Sequence, residues 1–312
     1  MSAAPASAVT IEGREVRFTN LDKVLYPAAG FTKGEVIDYY RKIAPVLLPH
    51  LKGHALTLKR YPNGVDQPFF YEKRCPVHRP DWVKTASVWS DTNNENIDFC
   101  VAADAATLAW MANLASLEIH PLLSRADKPD RPTAMVFDFD PGPPAGALDC
   151  VQAALKMHEI LDHLGLQSFA KTSGGKGIHL WIPLNTPVTF AQTKQFSHGV
   201  ALLMERQSPA EITSNMSKSA RGGKVFIDWS QNDSHKTTAA VYSLRARETP
   251  SVSTPISWDE MRLAAKKKDP ARLVFTPAQA LARVKKLGDL FEPVLKLKQK
   301  LPKFDAGHIH VG

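Results

Sequence analysis

Residues 134–143 read AMVFDFDPGP, and the alternation in that stretch decides the fold. Successive side chains of an extended strand point to opposite faces, so Met135, Phe137 and Phe139 share one face while Val136, Asp138 and Asp140 share the other. A strand that buries one face and shows two carboxylates on the other needs something cationic to offset their repulsion. A pair of divalent ions meets that need. Two other readings of the same residues stand beside it. Asp, Pro and Gly are turn formers, so the acids could simply close the strand. Paired aspartates after an apolar strand also occur in phosphatases, where the first attacks phosphorus. That pattern expects Thr or Val soon after the second acid, and this chain has Pro141-Gly142-Pro143 there.

Working outward, residues 148–164 carry Val151, Leu155, His158 and Leu161 at helical spacing, with Gly165 as a stop. Residues 168–172 and 177–183 read as strands joined by the glycine-rich SGGKG. Thr189 and Gln192 form a capping box ahead of a helix whose buried stripe is Phe196, Val200 and Leu203. Residues 224–229 alternate as a strand. The order strand, helix, strand, strand, helix, strand is the ferredoxin-like, RRM-like unit, whose first strand lies mid-sheet between the third and fourth. Asp138 and Asp140 on the first strand, His179 on the third and Asp228 on the fourth then fall on one face. Two helices cover the other.

Residues 1–125 read as a separate α/β module. Thr32 and Glu35 make a capping box before the stripe Val36, Tyr40, Ile43 and Leu47; residues 54–60 read as a strand and 105–118 as a helix. An aromatic, turn-rich loop lies between them. Residues 126–250 are the catalytic module, and 251–312 two short helices with a basic, poorly ordered tail. The three stretches are expected to form one compact α/β domain.

No apolar run approaches the ~20 residues of a membrane span, and the start MSAAPASAVT lacks the basic and apolar regions of a secretory signal. Cys75, Cys100 and Cys150 are too few and too scattered for a disulfide framework, and are read as core thiols of a cytoplasmic protein. Cys75-Pro-Val-His78 has no second ligand pair and is not assigned zinc. The net charge of +8 favours a polyanionic partner, and two Lys/Arg clusters, at 171–176 and 218–224, sit beside the acidic strands.

Three carboxylates on one face suit two hard cations ~3.5–4 Å apart, the arrangement for nucleotidyl transfer. SGGKG offers backbone amides for phosphate oxygens, with Lys176 as a point charge and Ser173 as a hydroxyl donor.

At this level of detail the chain resembles the polymerase domain of bacterial ligase D, within the archaeo-eukaryotic primase superfamily. The resemblance runs over residues 18–247. Its marks are TNLDKVLYP, KRYPNGVDQPFFYEK, VFDFDPGP, TSGGKGIHLWIPL, SNMSKSARGGKVFIDWSQN and KTTAAVYSLR. What it implies is a primase-polymerase fold and addition of nucleotides at DNA gaps and break ends in bacterial non-homologous end joining. The resemblance further implies a preference for ribonucleotides and the use of two manganese (or magnesium) ions. Asp138, Asp140 and Asp228 would be the metal ligands, and Ser173, Lys176, His179 and Arg245 would hold the incoming NTP or dNTP. Lys23 and Lys33 match a pair that grips a downstream 5′-phosphate. Phe70 and Tyr71 match an aromatic pair near the template end, with Tyr where the family pattern has Phe. The loop 214–224, with Lys218 and Arg221, resembles one that holds ends together. Ku and a DNA ligase are the implied partners and the nucleoid the implied place of work. No K-x-D-G ligase motif is present, so a stand-alone polymerase or a piece of a longer ligase is expected. A second reading makes the protein chiefly an end-bridging module whose polymerase activity is incidental.

Overall fold

The computed structural model describes residues 7–90 and 93–302, which divide into two compact units. The first takes in the described residues up to Asp127 together with Thr237–Ser253 and Phe275–Asp289. The second comprises Lys128–Lys236, Thr254–Val274 and the described residues from Leu290 onward. No helix among the described residues is long and apolar enough to cross a membrane.

In the first unit, helix α1 (Lys33–Leu51) begins at the Thr32 and Glu35 capping box and buries Val36, Tyr40, Ile43 and Leu47. Strand β1 (His54–Arg60) pairs with β2 (Phe70–Glu72), the latter lying inside the segment read as a loop. Strands β3 (Thr85–Ser90) and β4 (Glu95–Cys100) form a hairpin joined to β1. The helix expected over 105–118 stops early: α2 runs Ala105–Asn113, Ala115 takes a positive φ of 57°, and strand β5 (Ser116–Arg125) follows. The cause is tertiary. Tyr61 donates its amide to the Ala115 carbonyl at 2.9 Å, and the edge of β1 offers a ladder from Ser116 onward that a third helical turn would forfeit.

The cysteine reading needs correction. Cys75 and Cys100 form a disulfide, and only Cys150 is a buried free thiol. Scatter in sequence misled because the Cys75 amide bonds the Asp98 carbonyl at 2.7 Å, drawing the two Cα atoms to 4.8 Å, within the bridging range.

The second unit is built as the alternation requires. Strand β6 (Ala134–Pro141) leads through α3 (Ala147–His163) to β7 (Phe169–Thr172) and β8 (Ile178–Pro183). Helix α4 (Phe190–Gln207), the short β9 (Ile212–Thr213) and β10 (Val225–Asp228) follow, and β11 (Pro255–Ile256) adds an edge. The sheet order is β9-β10-β6-β8-β7-β11, so β6 lies between β8 and β10 as expected. Met135, Phe137 and Phe139 are fully buried, and α3 and α4 both pack on β6. Asp138 is half-buried and Asp140 exposed. Beyond α5 (Trp258–Lys267), α6 (Pro277–Leu287) and α7 (Glu292–Lys296), the chain to Pro302 is held in place rather than loose. Gln299 donates through Nε2 to the Pro183 carbonyl at 2.8 Å and accepts the Gln167 amide at 2.7 Å. Lys303 and the rest of the tail lie outside the described residues.

Candidate functional site

Backbone register assembles the acidic face. Asp138 on β6 stands directly opposite Asp228 on β10 and, on its other side, opposite His179 on β8. Directly paired antiparallel residues point the same way with Cβ atoms roughly 4.5–5.5 Å apart, so a carboxylate, a second carboxylate and an imidazole share one row. Asp140 is two residues along the same face, opposite Phe226. The His179 Nε2 lies 3.3 Å from Asp138 Oδ1. Asp228 is held by its own chain: Oδ1 accepts from the Ser230 amide and hydroxyl at 2.9 and 2.6 Å, and Oδ2 accepts from Gln231 Nε2 at 2.9 Å. These bonds occupy about three of roughly four lone-pair directions and orient the fourth. The field of these acids also reaches Cys150 behind the strand, whose thiol is pushed up first by burial and then by Asp140 and Asp138.

The donor set suits hard divalent ions, all carboxylate oxygen from two adjacent strands. The side chains do not close around a point: among the described residues no group of three or more His, Cys, Asp and Glu is gathered as a ready ligand cage.

The SGGKG turn abuts this face. A Cβ on Gly177 would stand 2.8 Å from the Phe139 carbonyl and 3.4 Å from Asp140 Oδ1, so only glycine lets the turn come so near the acids. Ser173, expected as a phosphate donor, is buried and organises the turn, its hydroxyl accepting the Gly175 and Gly177 amides at 3.3 and 3.1 Å. Lys176 stands exposed at the tip.

The loop 214–224 is anchored at both feet. Glu205 on α4 accepts from the Ser214 amide at 3.1 Å, and Trp229 Nε1 donates to the Ser214 carbonyl at 3.1 Å. At the far foot, Gly142 donates its amide to Lys224 and Gly223 donates to Pro143, at 2.8 and 3.0 Å. Between them Lys218 is exposed, and the Arg221 guanidinium lies 3.7 Å over the ring of Phe226, the register partner of Asp140.

The remaining predicted residues belong to the first unit. Lys33 opens α1, and its ammonium donates to the Thr19 carbonyl and hydroxyl at 2.7 and 3.2 Å. Burial, then Lys23 and Arg60, pull its pKa down to about 8. Lys23 reaches Asn63 Oδ1 at 3.0 Å. Phe70 and Tyr71, neighbours on β2, point to opposite faces: Phe70 lies under the Arg60 guanidinium at 5.1 Å, whereas Tyr71 meets His120 edge-on at 6.2 Å.

Arg245 is bound at 3.2 Å to Glu118, a residue the sequence reading took for a helix end. Glu118 also meets His120 Nε2 at 2.9 Å and Lys59 at 3.7 Å. Burial alone would raise its pKa; the His120 hydrogen bond and the charges of Arg245 and Lys59 overcome that and bring it to about 2. Burial lowers His120, so it serves as a neutral donor to an ionised Glu118. The signal was present as Glu118 and His120, two polar residues at period two within SLEIHPLL.

Residues 32–291 match the family described as LigD, primase-polymerase domain. The multifunctional non-homologous end joining protein LigD of Mycobacterium bovis is 40% identical over 287 residues, covering 89% of this chain and 37% of that protein. The bifunctional non-homologous end joining protein LigD of Bacillus subtilis is 34% identical over 275 residues, covering 88% and 43%. This chain thus spans less than half the length of these relatives. Among solved structures, the polymerase domain of Mycobacterium tuberculosis ligase D in complex with DNA superposes with a TM-score of 0.83 at 39% identity, covering 90% of this chain and 98% of that one. The motifs, the sheet with its acidic face and these matches agree: the chain belongs to the LigD primase-polymerase family, a family of nucleotidyltransferases.

Proposed function

We propose that this protein adds nucleotides, ribonucleotides by preference, to the 3′ end of a primer strand at DNA gaps and double-strand break ends that carry a 5′-phosphate. The observation that carries the proposal is the cross-strand row in which Asp138 faces Asp228, with Asp140 two residues along the same face. In this reading the primer 3′-hydroxyl attacks the α-phosphorus in line and pyrophosphate leaves. Asp138, Asp140 and Asp228 would hold two manganese or magnesium ions, which when bound lower the pKa of the attacking hydroxyl and neutralise charge on the leaving group. His179 offers its Nε2 edge on the same face, Lys176 brings a mobile positive charge from the turn tip, and the turn amides give further donors to phosphate oxygens. Ser173 acts by shaping that turn. Arg245 is held by Glu118 within the first unit, at 3.2 Å.

Lys23 and Lys33 suit a 5′-phosphate as two cations brought together at the start of α1, where the Lys33 amide bonds the Lys23 carbonyl at 2.8 Å and the helix dipole favours an anion. Phe70 and Tyr71 offer exposed rings for unpaired bases. The names of the relatives support a role in non-homologous end joining; Ku and a ligase activity are the companions this reading adds.

The test is incorporation of labelled NTP and dNTP on a 5′-phosphorylated gap, with manganese and with magnesium. Asp138→Ala and Asp140→Ala are expected to abolish incorporation while binding of the gap stays within about twofold. Extension retained by either variant would overturn the assignment. The two-footed loop with exposed Lys218 favours end bridging as a second activity. Lys23→Glu is expected to lower synapsis of two ends, and Asp228→Ala to lower only extension.

A further inference from the structure

The pairing of β6 with β10 stops at the acids themselves. Asp138 and Asp228 form its last register pair, and the chain then leaves β10 through a single 3₁₀ turn, Trp229–Gln231. Val136, two residues before Asp138, meets Trp181 of β8 on one side and on the other lies beyond the end of β10. Val136 is fully buried, so an unpartnered peptide group there would be costly.

Asn232 supplies the partners. Its Oδ1 accepts the Val136 amide at 2.8 Å, and its Nδ2 donates to the Val136 carbonyl at 2.7 Å. Nδ2 also donates to the Trp229 carbonyl at 3.0 Å. One fully buried side chain thus stands in for a strand residue. The set of bonds demands a side-chain amide, with its acceptor and two donors in one plane; an aspartate of the same shape would set an oxygen against two carbonyls. The same short piece of chain holds the acid. Asp228 is bonded by Ser230 and Gln231, and the turn closes through the Asn232 amide to the Trp229 carbonyl at 3.3 Å. Asn232 therefore fastens to β6 the turn that carries the Asp228 carboxylate, at a point two residues from Asp138. Loss of those bonds would free the turn to shift relative to β6, and Asp228 with it.

We propose that Asn232 is a positioning residue for the acidic pair: by clamping the turn to Val136 it sets the separation of Asp228 from Asp138 at which both carboxylates reach a shared divalent ion. The proposal rests on reading the acidic face as the ion site. Asn232 acts there without touching an ion, through the backbone of both acid-bearing strands.

The test is Mn²⁺ binding to the full chain, read as loss of the free-ion signal in electron paramagnetic resonance, together with hydrogen exchange at the Val136 amide. Asn232→Ala is expected to bind Mn²⁺ about tenfold more weakly than the wild type while its circular dichroism is unchanged. In gap filling, the Mn²⁺ concentration for half-maximal extension is expected to rise by the same factor, with saturating Mn²⁺ restoring most of the rate. Coupling runs both ways, so Mg²⁺ is expected to slow exchange at the wild-type Val136 amide about tenfold. A folded Asn232→Ala that holds Mn²⁺ as tightly as the wild type overturns the proposal and leaves the ion site standing. An exchange rate at Val136 that Mg²⁺ leaves unchanged in the wild type overturns it too, even if Asn232→Ala fails to fold. A wild-type chain that binds no Mn²⁺ sinks the ion site and the proposal with it.

Discussion

Lys33 holds its charge weakly. With a pKa pulled down to about 8, it loses its proton over the range in which most assays are run. The proposed grip on a 5′-phosphate needs the ammonium, so affinity for a 5′-phosphorylated end is expected to fall as pH rises through about 8, while a 5′-hydroxyl end is expected to show no such step. Anisotropy titrations of the two ends across that range check this, and Lys33→Met should remove the step. Glu118 is the opposite case. Its folded pKa is depressed from 4.5 to about 2, so the stability it contributes is present above about 4.5 and is lost as pH falls toward 2. Glu118→Gln would leave Arg245 and Lys59 beside a neutral, mostly buried neighbour. A loss of about 3 kcal/mol is expected, read by urea denaturation at neutral pH. Whether such residues were legible depended on the backbone around them. Asp138, Asp140, Asp228 and His179 could be placed because their strands alternate cleanly. Glu118 and His120 could not, because their strand was read as helix and its alternation went unused.

At the scale of elements, the PGP turn after β6 and the base of the loop 214–224 act as one piece. A Cβ on Gly142 would stand 1.9 Å from the Arg221 carbonyl, far inside contact distance, and the atom in the way is backbone that cannot rotate aside. Gly142→Ala is therefore expected to lift the loop foot and displace Arg221 from Phe226. Primer extension should fall at least about tenfold while the melting temperature drops only a few degrees. The sequence shows Gly142 as a turn residue; it cannot show that the turn is the loop's seat, since residues 142 and 221 meet only through the pairing of β6 with β10. The Cys75–Cys100 bridge was hidden for the same reason. It spans 25 residues and holds the segment after β2 to the end of β4. Chain-entropy arguments put a link of that span at about 3 kcal/mol, so thiol reduction or Cys75→Ser is expected to lower the unfolding free energy by that amount, read from urea denaturation.

Over the whole molecule, the excess of positive charge, +8, sets the terms of association. Binding to DNA is expected to weaken steeply with salt, log affinity falling linearly with log salt concentration. Replacing Lys23 or Lys218 should each reduce that slope by about one, across all sequences tested alike. The order of elements in 134–229 makes the second unit's sheet almost fully legible, because strand, helix, strand, strand, helix, strand is a known unit whose first strand lies between the third and fourth. The first unit was harder, since two of its segments arrive only after the chain has built most of the other.

That threading has a practical side. Stopping synthesis after Asp127 would strip from the first unit both 237–253, which carries Arg245, and 275–289, which carries the Asp289 carboxylate bonded to His50. Neither half can be obtained by cutting the gene once. Anyone wishing to study one half alone would have to splice distant pieces with new linkers, and a nascent chain leaving the ribosome cannot finish the first half until Asp289 has emerged.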